Sequence, residues 1–402
     1  MSRVPAPHVF LVAGEDSGDR LGAALIAAIK RRAPDARFSG VGGPQMAGQG
    51  ILSLFPLGDL AIVGIAAIAK GLPKILRRIR QTADAVIAAK PDVLVIIDSP
   101  EFTHRVARRV RARAPEIPIV DYVCPSVWAW WPARARAMRA YVDHVLALLP
   151  FEPAALQRLD GPPSTFVGHP LGERAGNLRP DAEEARRRLS DPPLLLVLPG
   201  SRAGEIRRMA GVFGEAAALA AAQVRGLEVV VPAVPRLADG VRAAVASWRI
   251  PARVLTDPNE KDAAFRAARA ALTKSGTSTL ELAVAGIPMV TAYKVPLFEE
   301  AVGRLLIKVQ SMVLANLVLG ENVVPEFLQR DATPGRLAAA LTPLLSDTPE
   351  RRRQAGAFAR LDTVMEIGKA VPSDRAAAVV LDCAGAPRQP QGETVVSGSP
   401  TA

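Results

Sequence analysis

Four stretches of the chain combine residue types that could do chemistry. Leu198-Pro-Gly-Ser201-Arg202-Ala-Gly-Glu205-Ile sets small residues and an arginine between an apolar run and a helical pattern. Backbone N–H groups and the helix dipole at such a junction attract phosphate, and Arg202 would add a forked cationic donor. A diphosphate fits this loop, and so does a plain strand-to-helix turn with a solvated arginine. Lys274-Ser275-Gly276-Thr277-Ser278-Thr-Leu-Glu281 is a second small-residue loop, with Glu281 about two helical turns beyond Lys274. Ser275, Gly276, Thr277 and Ser278 would let a nucleotide approach the backbone while Glu281 accepts both ribose hydroxyls. A helix capped by Ser275 or Thr277, with Glu281 on its wet face, writes the same string. Asp98 ends an uninterrupted apolar run ahead of Ser99-Pro100, which suits a general base at a strand's edge or a cap for the next helix. Val123 to Pro132 holds Trp128, Trp130 and Trp131, followed by Arg134, Arg136 and Arg139. Trp beside Arg suits a carbohydrate, membrane-interface or nucleic-acid surface, and buried packing between layers accounts for such clusters equally well.

Strands and turns must hold these residues. Val-Phe-Leu-Val within His8–Ala13 reads as a buried strand, and Gly14–Asp19 as a turn into a helix over Leu21–Lys30. The same strand, loop and helix grammar recurs at Asp92–Asp98 and at Pro118–Val123, so an N-terminal parallel sheet is expected. Between Gly168 and Pro193 the composition turns to Gly, Pro, Glu and Arg, which predicts a hinge containing one short charged helix. Strands are then expected at Leu194–Leu198, Leu227–Val234, Ala270–Thr273 and Met289–Ala292, with a helix from about Glu205. The fold class is therefore α/β, with two doubly wound, Rossmann-like domains. Their boundaries are placed at 1–170 and 171–386, the last helices crossing back, with a disordered polar tail at 387–402. The carboxyl ends of both sheets should face a common cleft, where open α/β sheets bind ligands.

Composition narrows the field. Hydrophobic residues make up 49% of the 402 and charged residues 22%, enough to bury a full core. The formal charge of +11 favours an anionic partner, and residues 70–140 alone hold 14 Lys or Arg against 6 Asp or Glu. Just before and within this region LAIVGIAAIAKGLPKILRRIR joins an apolar stretch to Lys70, Lys74, Arg77, Arg78 and Arg80, a pattern for an anionic bilayer surface or for a core helix with a solvated basic face. Cys124 and Cys383 are the only cysteines and no secretory signal is read at the N-terminus, so a reduced cytoplasmic setting is expected. The ten-residue apolar run Leu60–Ala69 is too short to span a bilayer. No GxxxxGK[ST] is present, and Gly40-Val-Gly-Gly lacks the third glycine of a dinucleotide fingerprint. There is no HExxH, and the 4 histidines are scattered, so no metal is expected.

Nine strings in order carry a resemblance to a known family: AGEDSGD (13–19), GVGGPQM (40–46), PDVLVIIDSPEF (91–102), PSVWAW (125–130), LPFE (149–152), VGHPL (167–171), LPGSRAGEI (198–206), KSGTSTLE (274–281) and LANLVLGENVVPEFLQ (314–329). Together they resemble lipid-A-disaccharide synthase over about residues 8–385. The resemblance implies a GT-B-type glycosyltransferase without cofactor, joining UDP-2,3-diacylglucosamine to 2,3-diacylglucosamine 1-phosphate with inversion. It implies that Asp98 is the general base, that Arg202 with its neighbouring loop neutralises the leaving diphosphate, that Ser201 and Glu205 belong to the substrate site, and that Ser275, Gly276, Thr277, Ser278 and Glu281 seat uridine and ribose. Asn316 would contact the donor, and Gly14, Glu15, Ser17, Gly18 and Asp19 would line the substrate site. It further implies a homodimer, peripheral at the cytoplasmic face of the inner membrane. Another UDP-sugar enzyme, such as a UDP-N-acetylglucosamine 2-epimerase, would share the nucleotide half. A nucleic-acid module would explain the charge, but no nucleic-acid motif accompanies it.

Overall fold

The computed structural model describes residues 6–60, 65–296, 300, 309 and 311–385, with residues 65–71 described by their backbone only. Residues 61–64 of the apolar stretch and the expected tail 387–402 lie outside the described residues.

Two six-stranded parallel sheets organise the chain. The first is built from β1 (His8–Ala13), β2 (Arg37–Val41), β3 (Val93–Ile97), β4 (Ile119–Tyr122), β5 (His144–Ala147) and β6 (Ser164–Phe166), in the order β2-β1-β3-β4-β5-β6. The second comprises β7 (Leu194–Leu198), β8 (Glu228–Pro232), β9 (Arg253–Leu255), β10 (Ala270–Lys274), β11 (Met289–Tyr293) and β12 (Glu326–Leu328), in the order β12-β11-β10-β7-β8-β9. Runs rich in Val, Ile and Leu make the central strands β1, β3 and β7, because both faces of a parallel sheet are covered. On β1 and β3, Val9, Leu11, Val93 and Val95 pack beneath helix Asp16–Arg32, while Phe10, Val12, Leu94 and Ile96 pack beneath helices Ile65–Ala89 and Pro100–Arg113. In the second sheet Leu195, Val197 and Leu272 face helix Ala203–Ala221, and Leu196 and Ala271 face helix Ser278–Val284. The period of two thus divides each strand between two cores.

Two local expectations need correction. Gly14–Asp19 is not a turn ahead of a helix at Leu21: the helix already begins at Asp16, with Asp16 and Asp19 in a first turn where the dipole favours carboxylates. The segment 168–193 holds two helices, Leu171–Leu178 and Ala182–Arg188, the second started by a capping box of Asp181 and Glu184. The last helix, Pro372–Gly385, packs on helix Asp16–Arg32, and its Ala376, Ala377 and Val380 complete the core of the first sheet. Among the described residues no helix is long and apolar enough to cross a membrane.

Candidate active site

The strand orders locate the site before any side chain is considered. Strand order reverses between β1 and β3 in the first sheet and between β7 and β10 in the second, and open α/β sheets bind ligands at such switch points. The loops leaving these four strands at their carboxyl ends begin at Gly14, Asp98, Pro199 and Ser275. Asp98, Pro199 and Ser275 lie in the stretches singled out for their chemistry, and Gly14 in one that the family resemblance implied.

At the first switch point, Asp98 and Ser99 both adopt left-handed backbone, with φ of +56° and +49°. This turn throws the Asp98 carboxylate back over the end of β1, where the Ser17 hydroxyl donates to Oδ2 at 2.7 Å and the Ser99 N–H to Oδ1 at 2.7 Å. Thr103 Oγ1 donates to the Asp98 carbonyl at 2.7 Å and fixes the turn from behind. Asp98 therefore does not cap the following helix. Glu15 is exposed and accepts from the Ser99 hydroxyl at 3.1 Å. A Cβ on Gly14 would overlap the Ser99 side chain, and one on Gly18 would press on the Ile97 carbonyl, so both glycines admit the close approach of the two loops. Asp98 lines a recess of about 190 Å³ with Cys124, Trp130, Trp131 and Arg134. Burial pushes the Cys124 thiol far above its usual range, which leaves it inert as a nucleophile. The tryptophans divide their work: Trp128 packs edge-on against Phe151 and donates to Glu152, whereas Trp130 and Trp131 stand 47% and 57% exposed. Glu152 is buried, and loss of water pushes its pKa up to about 7.

At the second switch point a recess of about 150 Å³ is lined by Ser201, Glu205, Lys261, Lys274, Gly276 and Ser278. Gly200, at φ +135°, lets the chain turn tightly over the Glu205 side chain. Arg202 is 79% exposed at the N-terminus of helix Ala203–Ala221, with its guanidinium 3.6 Å from the buried Glu205 carboxylate. Lys274 reaches to 3.1 Å of Glu205 and lies over the Tyr293 ring. Neither Ser275 nor Thr277 caps helix Ser278–Val284: the Ser275 hydroxyl donates to Glu326 at 3.0 Å, and Thr277 makes no capping hydrogen bond. Glu281, part-exposed, faces Arg174 at 3.8 Å and Lys261 at 4.0 Å.

Three of the expected contacts are turned inward. Asp19 is buried, and its carboxylate accepts from the N–H groups of Gly43, Gln45 and Met46 at 2.7–3.0 Å. Glu205 is buried, accepting from Ser201 N–H at 3.0 Å and pairing with Lys274, so that amide is engaged within the loop itself. Asn316 is buried, and its amide joins Ser311 Oγ, Val324 O and the N–H groups of Val323 and Val324. The structure gives all three a supporting place. Sequence reasoning passed over Lys274, Lys261, Arg174 and Glu326. A cation closing a strand just before a small-residue loop is a signal that could have found Lys274. Glu326 gathers Ser275, Ser311 and the Met312 N–H, an assembly that exists only once β12 pairs with β11. Among the described residues no three His, Cys, Asp or Glu side chains converge on a metal position.

Known proteins share this frame. MurG of Acinetobacter baumannii superposes with a TM-score of 0.56 at 15% identity, covering 94% of this chain and 99% of that one. UDP-GlcNAc 2-epimerase from Neisseria meningitidis, bound to UDP-GlcNAc, gives 0.63 at 12% identity, covering 93% and 100%. At such identities the likeness fixes the fold, and it is the GT-B type. Sequence goes further. The lipid-A-disaccharide synthase of Nitrobacter hamburgensis is 60% identical over 385 residues, covering 96% of this chain and 97% of its own. That of Bradyrhizobium diazoefficiens is 57% identical over 380 residues, covering 94% and 97%. The family model described as lipid-A-disaccharide synthetase matches residues 9–377, from the second residue of β1 into the helix that closes the first core. Both switch-point loops lie within that match, and the chain belongs to the lipid-A-disaccharide synthase family of glycosyltransferases.

Proposed function

We propose that the protein transfers 2,3-diacylglucosamine from UDP-2,3-diacylglucosamine to the 6-hydroxyl of 2,3-diacylglucosamine 1-phosphate, with inversion at the anomeric carbon. The observation that carries this reading is the Asp98 carboxylate at one switch point, held by Ser17 and opening on a recess walled by exposed indole rings. Asp98 takes the proton from the acceptor hydroxyl as its oxygen attacks the anomeric carbon. The bond from that carbon to the diphosphate breaks, and UDP leaves. Arg202 and Lys274 neutralise the charge that gathers on the departing diphosphate, a task for preorganised cations. Gly276, Thr277 and Ser278 admit the nucleotide to the backbone, and Glu281 accepts from the ribose. Asp19, Glu205 and Asn316 hold the loops in place, while Gly14, Glu15, Ser17 and Gly18 shape the acceptor side.

The diacyl substrates belong at a membrane surface, and the basic helix Ile65–Ala89 supports peripheral attachment at the cytoplasmic face of the inner membrane, with a homodimer as the working assembly. The testing experiment incubates purified protein with both substrates in neutral detergent and EDTA, with mass spectrometry as readout. Disaccharide 1-phosphate and UDP in equal amounts are expected. Silence with this pair, accompanied by conversion of UDP-N-acetylglucosamine alone, would replace transfer with epimerisation on the same fold.

A further inference from the structure

The Asp98 recess does not end at Trp131. It shares Pro100, Trp131 and Arg134 with a groove of about 430 Å³, whose lining adds Arg105 and Arg108. Arg105 and Arg108 are three apart on helix Pro100–Arg113 and so project from one face. Arg134 comes from helix Pro132–Met138 and donates to the Pro100 carbonyl at 3.4 Å.

This groove is built from behind. The Arg108 guanidinium lies 4.7 Å over the Tyr141 ring and donates to its hydroxyl at 3.3 Å. That hydroxyl meets His104 Nδ1 at 3.0 Å, and His104 Nε2 stands 3.1 Å from Asp121. His104 and Asp121 are 2% and 1% exposed, so a buried polar chain runs from the core to the arginine. Such a chain holds one long cationic side chain in place at little further entropic cost. Beside the three arginines the lining holds one carboxylate, Glu101, at 3.2 Å from Arg134 and 3.6 Å from Arg105. It is 76% exposed and can swing into water. The groove then presents three forked cations, with the exposed Trp131 ring as one wall. A phosphomonoester, with about −1.5 to −2 charges and three acceptor oxygens, answers this arrangement.

We propose that the Arg105, Arg108 and Arg134 groove binds the phosphomonoester of the acceptor sugar and thereby sets its hydroxyl against Asp98. The inference rests on the acceptor reading above. The two cavities share a wall, so one sugar can touch both, with its phosphate among the arginines and its hydroxyl at the carboxylate. A phospholipid headgroup offers similar phosphate chemistry, and the test separates the two sources.

The test uses the full chain carrying Arg105→Ala and Arg108→Ala, assayed in neutral-detergent micelles with the phosphorylated acceptor and with the same diacyl sugar lacking phosphate. The expected result is a rise in KM for the phosphorylated acceptor of about 10- to 100-fold, the loss of one or two charge-assisted hydrogen bonds, with donor KM unchanged. The acceptor without phosphate should be used equally by both proteins. Arg105→Ala alone, whose side chain pairs with Glu101 outside the Tyr141 stack, repeats the measurement without disturbing that support. An unchanged KM, or an equal loss with both acceptors, overturns the proposal. So does weakened binding to phosphatidylglycerol-containing vesicles with micellar KM untouched, which would give the groove to the membrane. A wild-type protein inactive on this pair overturns the acceptor reading and the subsite together, whereas an active wild type with an unaffected variant overturns the subsite alone.

Discussion

Asp98 shows how far a single residue can be read. Its place was legible, because five apolar residues of β3 end in a carboxylate and parallel strands deliver such residues to the ligand edge. The left-handed turn at Asp98 and Ser99 was not legible, nor was the Ser17 hydroxyl that reaches it across 81 residues of sequence. Backbone in this region costs energy for residues other than glycine and persists where the surroundings impose it, commonly at working sites. The same loop cluster includes Val123 at φ +95°, a severe conformation for a β-branched residue. Asn is among the few residues that tolerate left-handed backbone, so Asp98→Asn keeps the turn and removes only the base. Turnover is expected to fall by about two to four orders of magnitude, while UDP affinity and thermal midpoint stay at wild-type values. Near-normal turnover in a steady-state assay would take Asp98 out of the mechanism.

Among the elements, seven strands were readable as apolar runs, whereas β2, β5 and the three shortest were not. β1, β3, β4, β7, β8, β10 and β11 announce themselves as apolar runs, but β6, β9 and β12 have three residues each, too few for a period. β12 matters most to the site, since its Glu326 draws Ser275, Ser311 and the Met312 N–H together beside the nucleotide loop. Asn316 closes the same knot by spanning Ser311 and the turn at Val323–Val324. Local sequence marks Asn316 only as a polar residue in an apolar helix; its four partners appear when the chain has folded back on β11. Asn316→Ala would leave buried backbone groups at Val323 and Val324 without partners. At roughly 1–3 kcal/mol for each unsatisfied group, partly offset by entering water, a net loss on the order of 3 kcal/mol is expected in denaturant unfolding. UDP affinity should weaken along with the loop. Normal stability combined with lost UDP binding would mean that the side chain leaves this knot to touch the nucleotide.

Across the whole molecule, the two sheets are coupled by a short hinge and by the last helix, and His169 sits where the two meet. The Gly168-His169-Pro170 segment leaves β6 with Gly168 at φ +97°, and a Cβ there would press on Pro372, the first residue of the returning helix. Glu173, one turn on, accepts from the N–H and hydroxyl of Ser373, and Arg31 pairs with Asp374 at 2.6 Å. Composition flagged this region as a hinge, but a contact between residues about 200 apart in sequence is invisible to any local pattern. Loss of water around the His169 ring lowers its pKa from 6.5 to about 4, and Nδ1 is committed as an acceptor from the Leu171 N–H at 3.1 Å. The neutral ring is therefore the folded form, while the unfolded chain binds a proton below pH 6.5. Its contribution is complete above pH 6.5 and drains away as the pH falls toward 4, where the folded ring also titrates. The full loss is on the order of 3 kcal/mol, at about 1.4 kcal/mol for each pKa unit. His169→Asn keeps a side-chain oxygen to accept from Leu171 but cannot be protonated. In unfolding measured at pH 7.5 and again at pH 4.5, the gap between the two proteins should close or reverse at the lower pH. A gap that stays constant would mean that the His169 ring takes up its proton equally in the folded and unfolded chain, and that the hinge does not depend on keeping it neutral.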